Sequence, residues 1–352
     1  MVYLKTGLRL QQIGFLNDID NLVLNVPQPL SAGLVGSLDL TGGTIPQNIG
    51  TLNNRGIELS LSGNILKSRD FSWDFNVNYS KVQNKITKLY NIGGQPVANI
   101  SRGAYNIVRV GDPIDIIYGY QSAGVNPANG NAMWLKTDGT TVQYNTNSMY
   151  GAGTVGNFYL LDKTTGGLGA ASALANTDKV NLGTSTPTWY GAFTNSFNYK
   201  QFGLEFMFRF SGGNKIMNYT RQEALFNMSF QNNGKDILNR WTTPGQITDV
   251  PRLYYGAAAN MNSTSNASSR FVEKGDYLRL QNVVLDYALN AQSLNQYTKG
   301  YVKSAKIFVQ IQNAYVWTKY KGADPDNISS MGVDAAVAPQ IRTISFGVSA
   351  GF

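Results

Sequence analysis

The stretch FSWDFNVNYS, residues 71–80, separates two kinds of side chain without a single exception. Because successive side chains of a β-strand point to opposite faces, this alternation predicts a strand with one apolar face and one polar face. The residues between the apolar ones are Ser, Asp and Asn. The apolar face consists of Phe71, Trp73, Phe75, Val77 and Tyr79.

The same alternation recurs along the rest of the chain, which makes the predicted fold class all-β. In 277–289 the alternation slips near Leu280, which predicts a β-bulge. The segment 202–211 follows 188–200 directly, which predicts a tight hairpin at Lys200 and Gln201. The alternating segments are 56–65, 188–200, 202–211, 277–289, 305–313 and 342–352.

The connections between these segments alternate between short and long. The short ones lie near 66–70, 200–201 and 291–304, and the long ones at about 17–50, 90–187, 212–276 and 317–342. Short periplasmic turns, long extracellular loops and strands with one apolar face are typical of an antiparallel transmembrane β-barrel. A soluble barrel would instead carry its large apolar residues inside. We count about eight such strands.

Composition excludes several classes of function. The chain has no His and no Cys, which excludes Ser-His-Asp and Cys-His catalysis and most zinc sites. The net charge is +8, but Lys and Arg are scattered, so we expect no nucleic-acid partner. No long apolar run or signal-peptide pattern is present. We therefore expect neither an enzyme nor a cofactor.

Five stretches, in this order, resemble one family. They are DIDNLVLNVPQP from Asp18, the segment Asn48 to Tyr90, YGYQSAGVNPANG from Tyr118, FVEKGDYLRLQNVVLDYAL from Phe271, and NAYVWTKYKGADPDN from Asn313. Together they resemble SusC/RagA-type TonB-linked outer-membrane transporters of Bacteroidetes. The resemblance implies a barrel of about 22 strands closed by an N-terminal plug. It also implies a SusD-like surface lipoprotein as partner, and TonB-energised import of oligosaccharides or peptides across the Gram-negative outer membrane.

Compared with such a transporter, residues 1–352 resemble a C-terminal portion of the barrel, without the plug. We therefore expect an incomplete wall in contact with outer-membrane lipid, with its first and last strands apart and TonB contacted through the missing N-terminal region. The alternative is a self-contained small outer-membrane barrel that presents long loops for adhesion or binding. A soluble β-rich module is disfavoured, because Phe202 to Phe210 would expose an aromatic ridge to water.

Candidate binding residues lie in the long connections. Sugar rings could stack on the aromatic side chains of 90–187, although packing within that loop is the alternative. Asp324 and Asp326 could chelate a divalent cation, although Pro325 between them suits a turn equally well. The stretch GAGTVG, 151–156, indicates a flexible loop rather than a dinucleotide site. The aromatic candidates are Trp134, Tyr144, Tyr150, Phe158 and Tyr159.

The last stretch, TISFGVSAGF, alternates up to the terminal Phe352. An aromatic residue at that position suits the periplasmic edge of a barrel, where aromatic girdles lie. In outer-membrane barrels generally, such a last strand is thought to be recognised by the insertion machinery. We therefore predict that Phe352 acts in barrel assembly.

Overall fold

A computed structural model describes residues 2–3, 7–27, 44–92, 95–144, 158–224, 232–253 and 267–352. Strands dominate this part of the chain. The first four are β1 (Val2–Tyr3), β2 (Leu8–Pro27), β3 (Thr44–Lys67) and β4 (Phe71–Lys88). Ten shorter strands follow: β5 (Asn91–Ile92), β6 (Gln95–Pro96), β7 (Asn99–Arg102), β8 (Asn106–Arg109), β9 (Ile116–Val125), β10 (Ala132–Leu135), β11 (Thr141–Tyr144), β12 (Phe158–Leu161), β13 (Leu168–Ser172) and β14 (Lys179–Thr184).

The remaining strands alternate with short helices. The strands are β15 (Trp189–Tyr199), β16 (Phe202–Gly212), β17 (Lys215–Asn218), β18 (Val272–Lys274), β19 (Tyr277–Ala288), β20 (Ser304–Thr318), β21 (Val333–Asp334) and β22 (Thr343–Gly351). The helices are α1 (Ala291–Thr298), a π-helix at Thr220–Ala224, and 3-10 turns at Asn176–Asp178, Lys235–Asn239 and Ser269–Phe271. None of the helices in the described part of the chain is long and apolar enough to cross a membrane.

Nine strands form one antiparallel sheet, which we call the wall. Its order is β1-β2-β3-β4-β15-β16-β19-β20-β22, so each strand lies beside the one that precedes it in the chain once the long connections are set aside. Within the described residues, β22 pairs only with β20, and β1 only with β2. The wall is therefore an open sheet of eight long strands and one short one, which confirms the predicted incomplete barrel.

The register of the wall collects the apolar side chains on one face. Phe193 of β15 lies opposite both Val77 of β4 and Phe208 of β16, and Phe208 lies opposite Leu280 of β19. The rings contact one another, with centroids 4.8 Å apart for Phe193 and Phe208. Cross-strand pairs of this kind stabilise a sheet. Aromatic contacts thus run from strand to strand across the wall, as the alternation predicts.

The amide of Asn195 lies on this apolar face. Asn195 of β15 lies opposite Phe75 and Phe206, among aromatic neighbours. Its Oδ1 accepts a hydrogen bond of 3.0 Å from the indole Nε1–H of Trp73. Because an unpaired acceptor would be costly in an apolar environment, the Trp73 indole stabilises the amide oxygen there.

Hydrogen bonds between neighbouring strands cover the opposite, polar face. Asn64 donates to Asp74 at 2.9 Å, Ser196 to Glu205 at 3.0 Å, and Gln310 to Asn282 at 2.8 Å. Lys306 pairs with Asp286 at 2.8 Å. In a transmembrane barrel such a face lines the water-filled interior.

A bulge at Gln281 changes which side chains of β19 share a face. Asn282 pairs with Met207 and Leu280 with Phe208, so Gln281 has no partner on β16. Val283 and Leu285 therefore share the apolar face with Leu280 rather than with Arg279. The bulge, which the sequence predicts, moves Arg279 onto the polar face.

The strands β2 and β3 are much longer than predicted, which corrects the expected loop at 17–50. They pair from Leu8 with Gly63 to Pro27 with Thr44, and only 28–43 between them lie outside the described residues. At about 3.3 Å per residue, 24 residues extend about 80 Å, against an apolar band about 25 Å tall. The strand β3 is therefore much longer than such a band is tall. Residues 44–55 mix polar and apolar side chains without strict alternation, which removes the sequence signal of a strand.

The short connections are confirmed at one end of the wall. Residues 68–70 join β3 to β4, and Lys200 adopts a φ of 51° in the hairpin between β15 and β16. The third short connection contains α1, capped by Asn290, whose Oδ1 accepts from Gln292 and Ser293 backbone N–H groups. Phe352 follows β22 at this same end and is 82% exposed.

We predict opposite responses to arginine on the two faces. Phe206→Arg should lower the free energy of unfolding in lipid vesicles by about 2–4 kcal/mol, because the charge would enter hydrocarbon, whereas Asn76→Arg on the polar face should be nearly neutral. Denaturant unfolding of the vesicle-inserted protein measures both. Equal losses for the two variants would contradict the assignment of the faces.

Candidate functional site

Three long connections leave the wall at the end opposite the short turns. They span 89–188, 213–276 and 319–342, close to the bounds that the sequence predicts. The first is a folded unit rather than an open loop. Its main sheet has the order β13-β12-β11-β10-β9-β8-β7, with β14 paired to β9. We call this unit the loop domain.

The loop domain is attached to the free edge of β4. The strand β15 begins at Trp189, opposite Lys81 of β4. Residues 82–88 of β4 therefore have no partner strand on that side. Residues 111–114 occupy the edge: Ile86 N–H donates to Asp112 O at 2.9 Å, and Gly111 N–H donates to Ile86 O at 2.8 Å. The attachment buries a small apolar core of Leu24, Leu52, Ile86, Leu89, Ile100 and Val108.

Two of the five predicted sugar-stacking residues, Trp134 and Tyr144, are buried inside the loop domain, so the expectation of ligand stacking is wrong for these two. Trp134 is 4% exposed and Tyr144 is 3% exposed. The Phe158 ring lies edge-on to both, with centroids 5.5 Å away. Burial raises the pKa of the Tyr144 phenol. The rings of Trp134 and Tyr144 are packed against neighbours and offer no free face to a ligand, in agreement with the alternative of packing within the loop.

The other two aromatic candidates do not form a binding surface with them. Tyr159 is partly buried and lies opposite Gln143 in the β11–β12 pair. Tyr150 and the stretch 151–156 lie outside the described residues.

Asp324 and Asp326 hold the connection 319–342 against the polar face of the wall. Arg209 of β16 and Arg279 of β19 lie directly opposite each other, so two like charges meet across the strands. Asp324 pairs with Arg279 at 2.5 Å, and both side chains are 3% exposed. Asp326 pairs with Arg209 at 2.8 Å, where Arg209 is 44% exposed. We call these four residues the aspartate clamp.

Further hydrogen bonds fix the clamp. Asp326 also accepts from Tyr277 Oη at 2.8 Å and from Gln340 Nε2 at 2.8 Å, and Gln340 N–H donates to Asp324 at 3.1 Å. Both carboxylates are therefore engaged by arginines instead of facing a free cation site. No cluster of three or more acidic residues suited to a metal ion occurs among the described residues.

Sequence reasoning missed the arginine half of the clamp. The signal that could have found it is the predicted bulge near Leu280, because a bulge there turns Arg279 from the apolar to the polar face. Arg209 lies between Phe208 and Phe210 in the alternating pattern, so its polar-face position could be inferred directly.

A second anchor joins the beginning of the same connection, at Tyr320, to its later part, at Asp334. Tyr320 donates to Asp334 Oδ2 at 2.5 Å, and Thr220 donates to Asp334 Oδ1 at 3.0 Å. Burial and the adjacent Asp334 carboxylate raise the pKa of Tyr320 above its usual value, so the phenol remains a donor. Beside it, β17 and β21 form a parallel pair. Two anchors thus hold 319–342 in place.

The three long connections also contact one another. The rings of Tyr105 and Tyr219 lie 5.8 Å apart, joining the loop domain to 213–276. Asn106 Nδ2 donates to Met331 O at 3.0 Å, joining the loop domain to 319–342. The connections therefore form one assembly at one end of the wall.

Comparison with known proteins agrees with this architecture. The profile of the family described as TonB dependent receptor-like, beta-barrel, matches residues 3–169. TonB-dependent receptor P3 of Formosa agariphila is 29% identical over 87% of this chain and 29% of its own length. TonB-dependent receptor SusC of Bacteroides thetaiotaomicron is 25% identical over 96% of this chain and 30% of its own length.

Residues 3–169 thus match the β-barrel domain of TonB-dependent receptors, and most of the chain is similar to proteins that bear that name. The chain spans about a third of the length of the curated relatives. A solved structure described as the RagAB peptide transporter has the same fold, with a TM-score of 0.74 at 21% identity over 97% of this chain and 33% of that one. The predicted family resemblance is thereby confirmed.

We predict that the two aspartates of the clamp contribute unequally to stability. Asp324→Asn should leave the buried Arg279 without a carboxylate, at a cost of about 3–5 kcal/mol. Asp326→Asn should cost less, because water solvates the half-exposed Arg209. Tryptic cleavage at the exposed Lys319 and Lys321, followed by mass spectrometry, reports the release of the connection.

We expect cleavage to accelerate at least about 100-fold in the Asp324 variant, since each 1.4 kcal/mol changes an equilibrium tenfold. The matched Asp326 variant should change by a small factor. Cleavage of Asp324→Asn at the rate of the unsubstituted protein would show that the clamp does not hold the connection.

Proposed function

We propose that this receptor barrel lies in the Gram-negative outer membrane and takes part in TonB-energised uptake of a nutrient. The observation that carries the proposal is the wall, with an aromatic face suited to lipid and a hydrogen-bonded polar face suited to an aqueous interior. Homology to receptors over most of the chain supports the same function.

The open wall indicates that these strands form part of a large barrel. It disfavours the alternative of a self-contained small barrel that serves adhesion. An eight-stranded barrel closes on itself, and its interior is just filled by side chains. Here β22 and β1 do not pair within the described residues, and long connections pack over the polar face. A larger barrel with room for a substrate accounts better for both features.

The partners follow from the same proposal. A SusD-like surface lipoprotein would contact the assembly of long connections, because those connections form one packed end of the wall. TonB would act through the part of the receptor that these residues do not include. The substrate is an oligosaccharide or a peptide. Phe352, on the opposite end, is proposed to serve in barrel assembly.

Growth on defined nutrients tests this function. Cells that lack the protein should fail to grow on at least one oligosaccharide or peptide as sole carbon source, and the gene supplied in trans should restore growth. Because uptake would draw energy from TonB, loss of TonB should abolish growth on the same substrate.

Growth on simple monosaccharides is the control and should be unaffected. Unchanged growth on every oligosaccharide and peptide tested, with the protein present in the parent strain's outer membrane, would contradict a role in uptake.

A further inference from the structure

A polar pocket of about 380 Å³ lies in the loop domain, apart from the buried aromatic cluster. It is open to solvent, and side chains from β7, β8, β9 and β14 contribute to its lining. Its lining includes Asn99, Ser101, Tyr105, Tyr118, Thr177 and Lys179.

The register of the strands places these side chains on one face of the sheet. Ser101 lies opposite Ile107, and Tyr118 N–H donates to Tyr105 O at 2.7 Å. Asn181, two residues after Lys179, lies opposite Tyr118. The pocket floor is therefore a sheet face, in which backbone groups are used for strand pairing and side chains are left for a ligand.

The chemistry of this face is that of a carbohydrate site. The phenol ring of Tyr118 supplies flat apolar area with a polar edge, and amide and hydroxyl groups surround it. No carboxylate lines the pocket, and Lys179 is its one charged residue among the described lining. A hydroxyl-rich ligand suits such a lining, because it offers an apolar C–H face to the ring and many donors and acceptors to the side chains.

A peptide fits this site less well. Extended peptides are commonly bound through the backbone of an exposed strand edge, and alternate side chains then enter pockets. The floor of this pocket is instead the face of paired strands, where β8 is flanked by β7 and β9. The recognition groups are side chains.

We propose that this pocket is an oligosaccharide-binding subsite of the receptor, with Tyr118 as the stacking surface. The inference rests on the proposed function, because a sugar-binding site in the loop domain would serve the uptake of a sugar by the receptor. It also names the sugar, rather than the peptide, as the substrate class.

Binding by the protein purified from membranes in detergent tests the subsite without requiring transport. A microarray of plant, algal and bacterial oligosaccharides selects a bound glycan, and calorimetry then measures its affinity. Tyr118→Ala should weaken binding at least about tenfold, and Tyr118→Phe, which keeps the ring, should stay within a small factor. Ser101→Trp, at an exposed position, should block the pocket.

Tyr297→Ala is the matched control, because Tyr297 is 86% exposed on α1 at the other end of the wall and should not affect binding. Circular dichroism and heat-modifiability establish that each variant is folded. If no glycan on the array binds, or if Tyr118→Ala and Ser101→Trp bind as the unsubstituted protein does, the subsite is disproved. Casein-derived peptides whose binding is lost in both variants would disprove the carbohydrate assignment.

The two proposals fail separately. Glycan binding that is sensitive to Tyr118 in detergent, without any uptake by cells, would overturn the transport function and leave the subsite standing. Uptake that persists at full rate in Tyr118→Ala and Ser101→Trp cells, together with unchanged binding, would overturn the subsite and leave transport standing.

Discussion

Within the hydrocarbon of a membrane no water is available to bond a peptide group, so each spanning strand must pair on both sides. Continuous antiparallel pairing from β2 to β22 meets this constraint for the strands inside the wall, whose large apolar side chains lie on one face. The outer edge of β22 and most of the outer edge of β2 have no strand partner among the described residues. Where β15 ends, β4 continues, and residues 111–114 of the loop domain take over its edge. The same need for backbone partners therefore shapes the membrane part and fastens the loop domain to it.

The polar face, in turn, determines how the long connections are held. The bulge at Gln281 turns Arg279 onto that face beside Arg209, and two like charges in contact require acidic partners. Asp324 and Asp326 supply them from 319–342. Through Asn106 and Met331, that connection then contacts the loop domain next to the polar pocket. A local change of strand register is thus linked to the position of a candidate ligand site.

Much of the wall could be predicted from sequence because membrane strands alternate strictly, as Phe71 to Tyr79 do. The ends of β2 and β3 could not, since consecutive polar residues such as Asn53, Asn54 and Arg55 of β3 leave no alternation of polarity. The candidate site was harder to predict from the sequence. Trp134 and Tyr144 have the residue types of a sugar platform, but only tertiary packing shows that they are buried. Asp324 resembles a cation ligand until its distant partner Arg279 is located.

Spin labels placed singly along β19 in lipid vesicles distinguish a lipid face from an aqueous face, because oxygen concentrates in hydrocarbon and a polar nickel chelate in water. We predict high oxygen accessibility at Val283 and Leu285 and high chelate accessibility at Asn282 and Val284. Because β19 exchanges faces at Gln281, the phase should reverse there, so that Leu280 and Leu278 again favour oxygen. An alternation that continued through Gln281 without reversal, or equal accessibility on both faces, would contradict this prediction.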